Sequence, residues 1–448
     1  MLKIKKFKHK IAFQDPLKKK TISYDKLNNI SDRVSKLIKA DTVTLMFTEN
    51  DFYCYPLYVS VINSKSIIVL LDYKLFKNEI FNLIDSFNAN YVIVNDKIKL
   101  FDNYQEIYSL GNYSIYLTDK KKLKVNSLNK LLISTSGTSQ KPKFVRLSKE
   151  NILDNTKKII ENLKIDMSDT TITTLPIAYS YGLSIINTHL LVGAKIVVNP
   201  FSIYEKDFWS LISKYKIKSF GAVPSMYVNL VKYGLQFFYR SKLNYISIAG
   251  GELKLNLLRI IGAVCKLNKI AFIKMYGQTE ASPRISHLDW KYFFKKISSV
   301  GKPLKDYKIK IMNYSKKQSG EVRVVGKNVC LGYAKSFREL LKGDVNKKIL
   351  KTGDYGFIDK DGFLFIKGRK KNFLKIFGTR ININQIQKNL KFLNITAKLS
   401  SSNDILFVDL IKNEKKISNT KIKNILFKLT KINTHFILVD SKKNYSFK

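Results

Sequence analysis

Apolar residues along this chain follow two rhythms. Short β-branched runs are nearly continuous: TVTLMFT (42–48), SIIVLL (66–71), YVIV (91–94), TITTL (171–175), KIVV (195–198), FGAV (220–223) and YISIA (245–249). Runs of that length and composition read as strands. Between them, segments 25–38, 76–87, 150–164 and 225–235 space their apolar residues three and four apart, the signature of an amphipathic helix. From residue 20 to about 290 the alternation predicts a layered α/β domain with largely parallel sheets. Ligands in such folds sit beyond the carboxyl ends of the strands. Around 300 the helical segments stop. SVGKP, YKIKIM and SGEVRVVGKNVCLGY alternate with period two and carry glycines at turns, which predicts a small antiparallel, barrel-like subdomain over about 298–367. From 368 to 448 an amphipathic helix, INQIQKNLKFL, and two strands, ILFVDLI and HFILVD, predict a small α+β domain. The domains expected are therefore 1–367 and 368–448.

Composition narrows the class. The 448 residues are 45% apolar, enough for two or three domains with their own cores. Lys+Arg 80 against Asp+Glu 34 leaves a net charge of +46. Such an excess suits an anionic partner, but the basic residues run along the whole chain without a block or an aromatic-interleaved patch, which argues against a specific nucleic-acid site. Cys54, Cys265 and Cys330 lie far apart and form no metal spacing, as expected of a reducing, cytoplasmic setting. No run approaches the roughly 18 uncharged apolar residues of a spanning helix. His9, His189, His287 and His435 show neither metal-ligand spacing nor a nucleophile neighbour, so a structural role is expected for each.

The stretch Leu131 to Ser148, LLISTSGTSQKPKFVRLS, carries the first candidate chemistry. A strand-like run leads into small hydroxyl residues, then lysines. Such a loop offers backbone N–H groups, hydroxyls and positive charge to a phosphate. By itself it reads first as an ordinary loop, as most Ser/Gly/Thr stretches are.

TSGTSQKPKFV resembles the glycine/serine/threonine-rich signature of the adenylate-forming superfamily: acyl-CoA synthetases, peptide-synthetase adenylation domains and luciferases. Thr135, Ser136, Gly137, Thr138, Pro142 and Lys143 match that signature, while Gln140 and Phe144 stand where glycines are usual. Further motifs follow in the family's order. MYGQTEA (275–281) resembles YGxTE, SGEVRVVGKNVCLGY (319–333) resembles GELxIxGxxVxxGY, and LKTGDY (350–355) resembles YRTGD. GRKKNFLKIFGTRI (368–381) resembles the segment where the family's small domain hinges.

The resemblance implies an ATP-dependent ligase that joins a small carboxylic acid to AMP, releases pyrophosphate and passes the acyl group to a thiol. The acceptor would be CoA or the phosphopantetheine of a separate carrier protein. It also implies roles by position. Thr135, Ser136, Gly137, Thr138, Ser139 and Lys143 would hold phosphates. Gly250, Gly251, Tyr276, Gly277 and Gln278 would surround the adenine end of ATP. Thr279 would bond a phosphate oxygen and Glu280 would supply a carboxylate to Mg²⁺, which takes few protein ligands beside phosphates and water. Asp354, expected exposed on its turn, would accept both ribose hydroxyls, and Arg369 would reach the nucleotide. Tyr179, Tyr181 and Pro224 would wall the acid pocket, and Lys371 would be the hinge. Lys448 would be the catalytic lysine, with Lys442 and Lys443 as alternatives because Phe447 replaces the usual preceding glycine. No general base is needed, since a carboxylate is already an anion at neutral pH. Two other readings stay open: a non-catalytic nucleotide-binding relative and a basic nucleic-acid-binding protein.

Overall fold

The computed structural model describes residues 4–98, 104–134, 142–312, 319–369, 373–377, 379–414 and 416–440. Two compact units divide between Lys367 and Gly368.

The larger unit contains two large mixed sheets. In the first, the order is Gly332–Ala334, Phe144–Leu147, Leu131–Ser134, Ile67–Asp72, Val43–Thr48, Tyr91–Asn95, Tyr113–Leu117 and Gln105–Leu110. The four strands from Leu131–Ser134 to Tyr91–Asn95 are parallel, and antiparallel strands complete the edges. Every residue of Val43–Thr48 is buried, because layers cover both faces of a parallel core. The second sheet runs Lys302–Pro303, Arg284–Leu288, Ala271–Gly277, Tyr245–Ile248, Ser219–Ala222, Thr170–Ile172, Lys195–Val197, Ile11–Asp15 and Lys20–Ser23. Its strands from Ala271–Gly277 to Ile11–Asp15 are parallel.

Local chemistry starts and stops the intervening helices. Lys149–Leu163 begins at a reciprocal cap in which Ser148 Oγ accepts from Asn151 N (3.0 Å) and Ser148 N donates to Asn151 Oδ1 (2.8 Å). It ends at Lys164 in the left-handed region. Its buried Ile152 and Ile159 each contribute about 1.5–3 kcal/mol of apolar burial. Pro224 opens Pro224–Tyr233 at its first turn, where a missing N–H is harmless.

The segment expected to form a small antiparallel, barrel-like subdomain contributes to two sheets. Lys308–Met312, Gly320–Val325, Ile349–Ile358 and Leu364–Arg369 form a four-stranded sheet, with antiparallel pairing across its first three strands. Gly332–Ala334 leaves that sheet and pairs antiparallel with Phe144–Leu147 in the first large sheet. The join is clamped by Arg146, fully buried, whose guanidinium donates to Asn129 Oδ1 and to the carbonyls of Leu331, Lys342 and Gly343 at 2.6–3.1 Å.

In the smaller unit, the hairpin Phe373–Ile376/Thr379–Asn382 and a sheet of Ile395–Ser402, Ile405–Asn413 and Ile437–Asp440 accompany helices Ile383–Phe392 and Asn419–Thr430. Leu390, Leu406, Val408, Ile422, Leu426 and Ile437 form its core. Among the described residues no helix is long and apolar enough to cross a membrane.

Candidate active site

The strand Ala271–Gly277 ends in the turn that organises the site. Gly277 must be glycine, because a Cβ there would overlap the carbonyl oxygen of Pro283. That closeness lets Gln278 N donate to Pro283 O at 2.9 Å while Ala281 N closes the turn on Gln278 O at 2.8 Å. The 3₁₀ turn Thr279–Ala281 is then fastened to the segment before Gly332. Cys330 N donates to Glu280 O (2.9 Å), Asn328 Nδ2 to Ala281 O (3.0 Å), and Ser282 Oγ to Asn328 O (2.7 Å). The backbone under Thr279 and Glu280 is thus held from two sides.

Side chains from several elements meet around this turn. The Tyr276 hydroxyl donates to Asp354 Oδ2 at 2.6 Å. Thr279 Oγ1 lies 3.0 Å from Ser180 Oγ at the start of the helix Ser180–Val192. Glu280, 9% exposed, accepts at Oε1 from the Tyr333 hydroxyl at 3.0 Å. The Lys143 ammonium sits 3.2 Å from the centre of the Tyr333 ring, within cation–π range. One tyrosine therefore contacts both the lysine after the hydroxyl-rich loop and the carboxylate of the turn. The GxxVxxGY stretch, given no site residue above, supplies it. Only the closing Gly-Tyr pair hinted at this; period-two spacing gave no reason to single it out.

Asp354 differs from expectation. It is not exposed on a turn but lies in the strand Ile349–Ile358 at 2% exposure, its N–H donating to Thr352 Oγ1 at 3.1 Å. Gly353, at φ +72°, turns the chain so that the carboxylate reaches Tyr276. Tyr181 also differs. Expected on the pocket wall, it is interior at 3% exposure, its hydroxyl 3.0 Å from Ser247 O and 2.7 Å from Ser247 Oγ. Tyr179 is half-buried with its hydroxyl against Gly250, which stands at φ +88° with no room for a side chain. Pro224 is half-buried at the neighbouring strand end, and Gly251 is exposed. Arg369 is exposed at the end of Leu364–Arg369, in the smaller unit. Thr135, Ser136, Gly137, Thr138, Ser139, Lys371, Lys442, Lys443 and Lys448 lie outside the described residues.

The donor set fits a magnesium nucleotide. Gln278 Nε2 is buried with no hydrogen-bond partner, a donor open to a ligand. Glu280 is a single hard carboxylate, and among the described residues no three His, Cys, Asp or Glu side chains cluster as a self-sufficient metal cage. That is the protein share magnesium takes when phosphates and water complete its shell. His189 and His287 are both lowered to about 4, chiefly by burial, and stay neutral near pH 7.

Known proteins extend this geometry. A 2-succinylbenzoate–CoA ligase of Bacillus cytotoxicus is 29% identical over 57% of this chain and 53% of its own length, so that match spans about half of the relative. The 2-succinylbenzoate–CoA ligase of Listeria innocua is 26% identical over 78% of this chain and 73% of its own. Among solved structures, the o-succinylbenzoate CoA synthetase of Bacillus subtilis, as a double mutant with a product analogue, covers 98% of this chain and 93% of that one, with TM-score 0.73 and 18% identity. The same Bacillus enzyme with ATP and magnesium ion covers 92% of each chain, with TM-score 0.67 and 20% identity. These structural likenesses show the shared fold. The AMP-binding enzyme family matches residues 3–334, the span that carries the turn, Lys143 and Tyr333, and this chain belongs to that family.

Proposed function

We propose that this chain activates a carboxylic acid with ATP, forming an acyl-adenylate and pyrophosphate, and then transfers the acyl group to CoA. The observation that carries the reading is the convergence of Tyr276, Thr279, Glu280, Asp354, Lys143 and Tyr333 on one strand-end turn. CoA as acceptor is supported by the relatives' names. A cytoplasmic setting suits Cys54, Cys265 and Cys330, all free and buried.

The chemistry is placement and charge neutralisation. The acid's carboxylate attacks the α-phosphorus, and the bond to pyrophosphate breaks. Lys143, with Thr135, Ser136, Gly137, Thr138 and Ser139, holds the leaving pyrophosphate. Glu280 binds magnesium, which when bound neutralises phosphate charge. Tyr333 fixes the rotamer of Glu280 by donating to Oε1. Tyr276, Gly277, Gln278, Gly250 and Gly251 take the adenine, Asp354 and Arg369 the ribose side, and Tyr179 and Pro224 the acid. Lys448 bridges the acid and the α-phosphate, from a small domain, 368–448, that turns at Lys371 for the thiol step. In that step the CoA sulfur attacks the acyl carbon and AMP leaves.

ATP–pyrophosphate exchange tests the reading. Acid-dependent entry of labelled pyrophosphate into ATP is expected. ATP binding without exchange for any acid would replace it with a non-catalytic nucleotide binder.

A further inference from the structure

Ser180 opens the helix Ser180–Val192, and neighbouring bonds anchor that helix start. Tyr179 N donates to Pro176 O (3.1 Å), and Leu183 N donates to Tyr179 O (2.9 Å). One residue on, the Tyr181 hydroxyl lies 3.0 Å from Ser247 O and 2.7 Å from Ser247 Oγ, while Ser184 Oγ donates to Tyr181 O at 2.7 Å. Gly182 completes the packing, since a Cβ there would overlap Pro176 O. Ser180 Oγ is therefore a fixed point. The residue is 4% exposed, and Thr279 Oγ1, at 3.0 Å, is the one hydrogen-bond partner of its hydroxyl among the described residues. Thr279 Oγ1 likewise has no other described partner.

The pair carries a proton on each oxygen, and the bond between them uses only one. Burial decides where the other points. If Thr279 donated, the Ser180 proton would stay in the interior with no described acceptor, the costly arrangement for a hydroxyl. If Ser180 donates, the spare proton belongs to Thr279, which is half-buried on the turn between Tyr276 and Glu280. The second arrangement is the favoured one. It also polarises Thr279, because a hydroxyl that accepts a hydrogen bond donates a stronger one. The positive end of the helix dipole lies beside the pair and acts in the same direction. Ser180 selects the rotamer as well. Threonine carries a hydroxyl and a methyl on one carbon, and a turn about χ1 exchanges their places. A donor beside Oγ1 keeps the oxygen at the contact. The backbone of the turn is already held by Cys330 and Asn328, so this bond fixes what freedom the Thr279 side chain has left.

We propose that Ser180 is a positioning residue for adenylation: by donating to Thr279, it turns the Thr279 proton onto the phosphate oxygen that gains charge as the acid attacks. This role rests on the adenylation reading, in which Thr279 bonds that oxygen, and it needs no contact of Ser180 with ATP or the acid. A donor aimed where charge develops acts on the rate more than on ground-state binding.

The test is a double-mutant cycle on the full chain, read by exchange of labelled pyrophosphate into ATP with 2-succinylbenzoate, benzoate, octanoate or a mixture of amino acids. With the acid that wild type uses best, Ser180→Ala is expected to lower kcat about 10-fold while the KM for ATP stays within about 2-fold. Ser180→Thr keeps a hydroxyl and is expected to recover most of the rate. Thr279→Val is expected to lower kcat at least as far. Ser180→Ala added to Thr279→Val is expected to change it no further, because groups that act as a unit are not additive. Equal kcat for wild type and Ser180→Ala overturns the proposal. So does a loss that Ser180→Ala repeats in the Thr279→Val background, or one carried by the KM for ATP, either of which would make Ser180 a packing residue of the helix start. If wild type binds ATP but exchanges with no acid, the adenylation reading falls and this role with it. Wild-type exchange that Ser180→Ala leaves intact removes this role alone.

Discussion

Glu280 lies at the centre of the residue-scale account because its partner is fixed. The Tyr333 hydroxyl, 3.0 Å away, holds one carboxylate oxygen, and Lys143 lies against the same ring. Tyr333→Phe removes only the hydroxyl and keeps the cation–π face. Outer partners of metal ligands are worth about 10–100-fold in metal affinity, so titration of Mg²⁺ in exchange assays is expected to show half-saturation rising about 10-fold, with the acid's KM unchanged. An unchanged magnesium requirement would reduce Tyr333 to packing. Asp354 gives a second prediction. Asp354→Asn removes the charged acceptor proposed for the ribose hydroxyls, and hydrogen bonds to charged groups contribute about 1.5–3 kcal/mol. Asp354→Asn is expected to weaken ATP binding about 10-fold or more by calorimetry. YGQTE made Tyr276, Thr279 and Glu280 legible from sequence as candidates. Their partners Ser180, Tyr333 and Asp354 lie 53 to 99 residues away, a pairing that no local pattern encodes. Asp354 was misjudged because a Thr-Gly-Asp string reads as a turn, whereas here Gly353 sits inside a strand.

At the scale of elements, the turn after Ala271–Gly277 and the clamp at Arg146 carry most of the positioning. Arg146 is fully buried and serves three carbonyls and Asn129, joining Phe144–Leu147 to the segments at 331 and 342–343. Arg146→Met leaves these buried acceptors without their donor, and an unsatisfied buried polar group costs about 1–3 kcal/mol, so the variant is expected to lose at least that much stability in urea unfolding. A loss under about 1 kcal/mol would show that the carbonyls find other donors. Periodicity located the inner strands and helices well. Lys149–Leu163 and Pro224–Tyr233 fall within a residue or two of the segments read as helical. It did not foresee that Ile11–Asp15 adds to the second sheet or that Gly332–Ala334 crosses to the first. Edge pairings depend on which distant strand has unpaired N–H and C=O groups, and that is a property of the assembled sheet.

For the whole molecule, the charge of +46 is spread over surfaces while the chemistry sits in a few buried groups. Those groups set the acid limit of stability. His189 and His287 are both lowered from 6.5 to about 4, mainly by burial. The unfolded chain therefore binds more protons than the folded one between those values, so stability rises with pH there, and the contribution of the two rings is complete above 6.5. Each group contributes about 1.4 kcal/mol per pH unit across that window. Thermal melts are expected to fall steadily from pH 6.5 toward pH 4; a melt independent of pH in that window would place solvent at both rings. The central claim is adenylation, and exchange of labelled pyrophosphate into ATP, run with an acid panel on wild type, Glu280→Gln and Lys448→Ala, tests it most directly. Exchange is expected with a restricted set of acids, cut about 100-fold or more in both variants, the loss expected when a preorganised charge-stabilising group is removed. ATP binding with no exchange for any acid, or exchange that both variants leave intact, would contradict it.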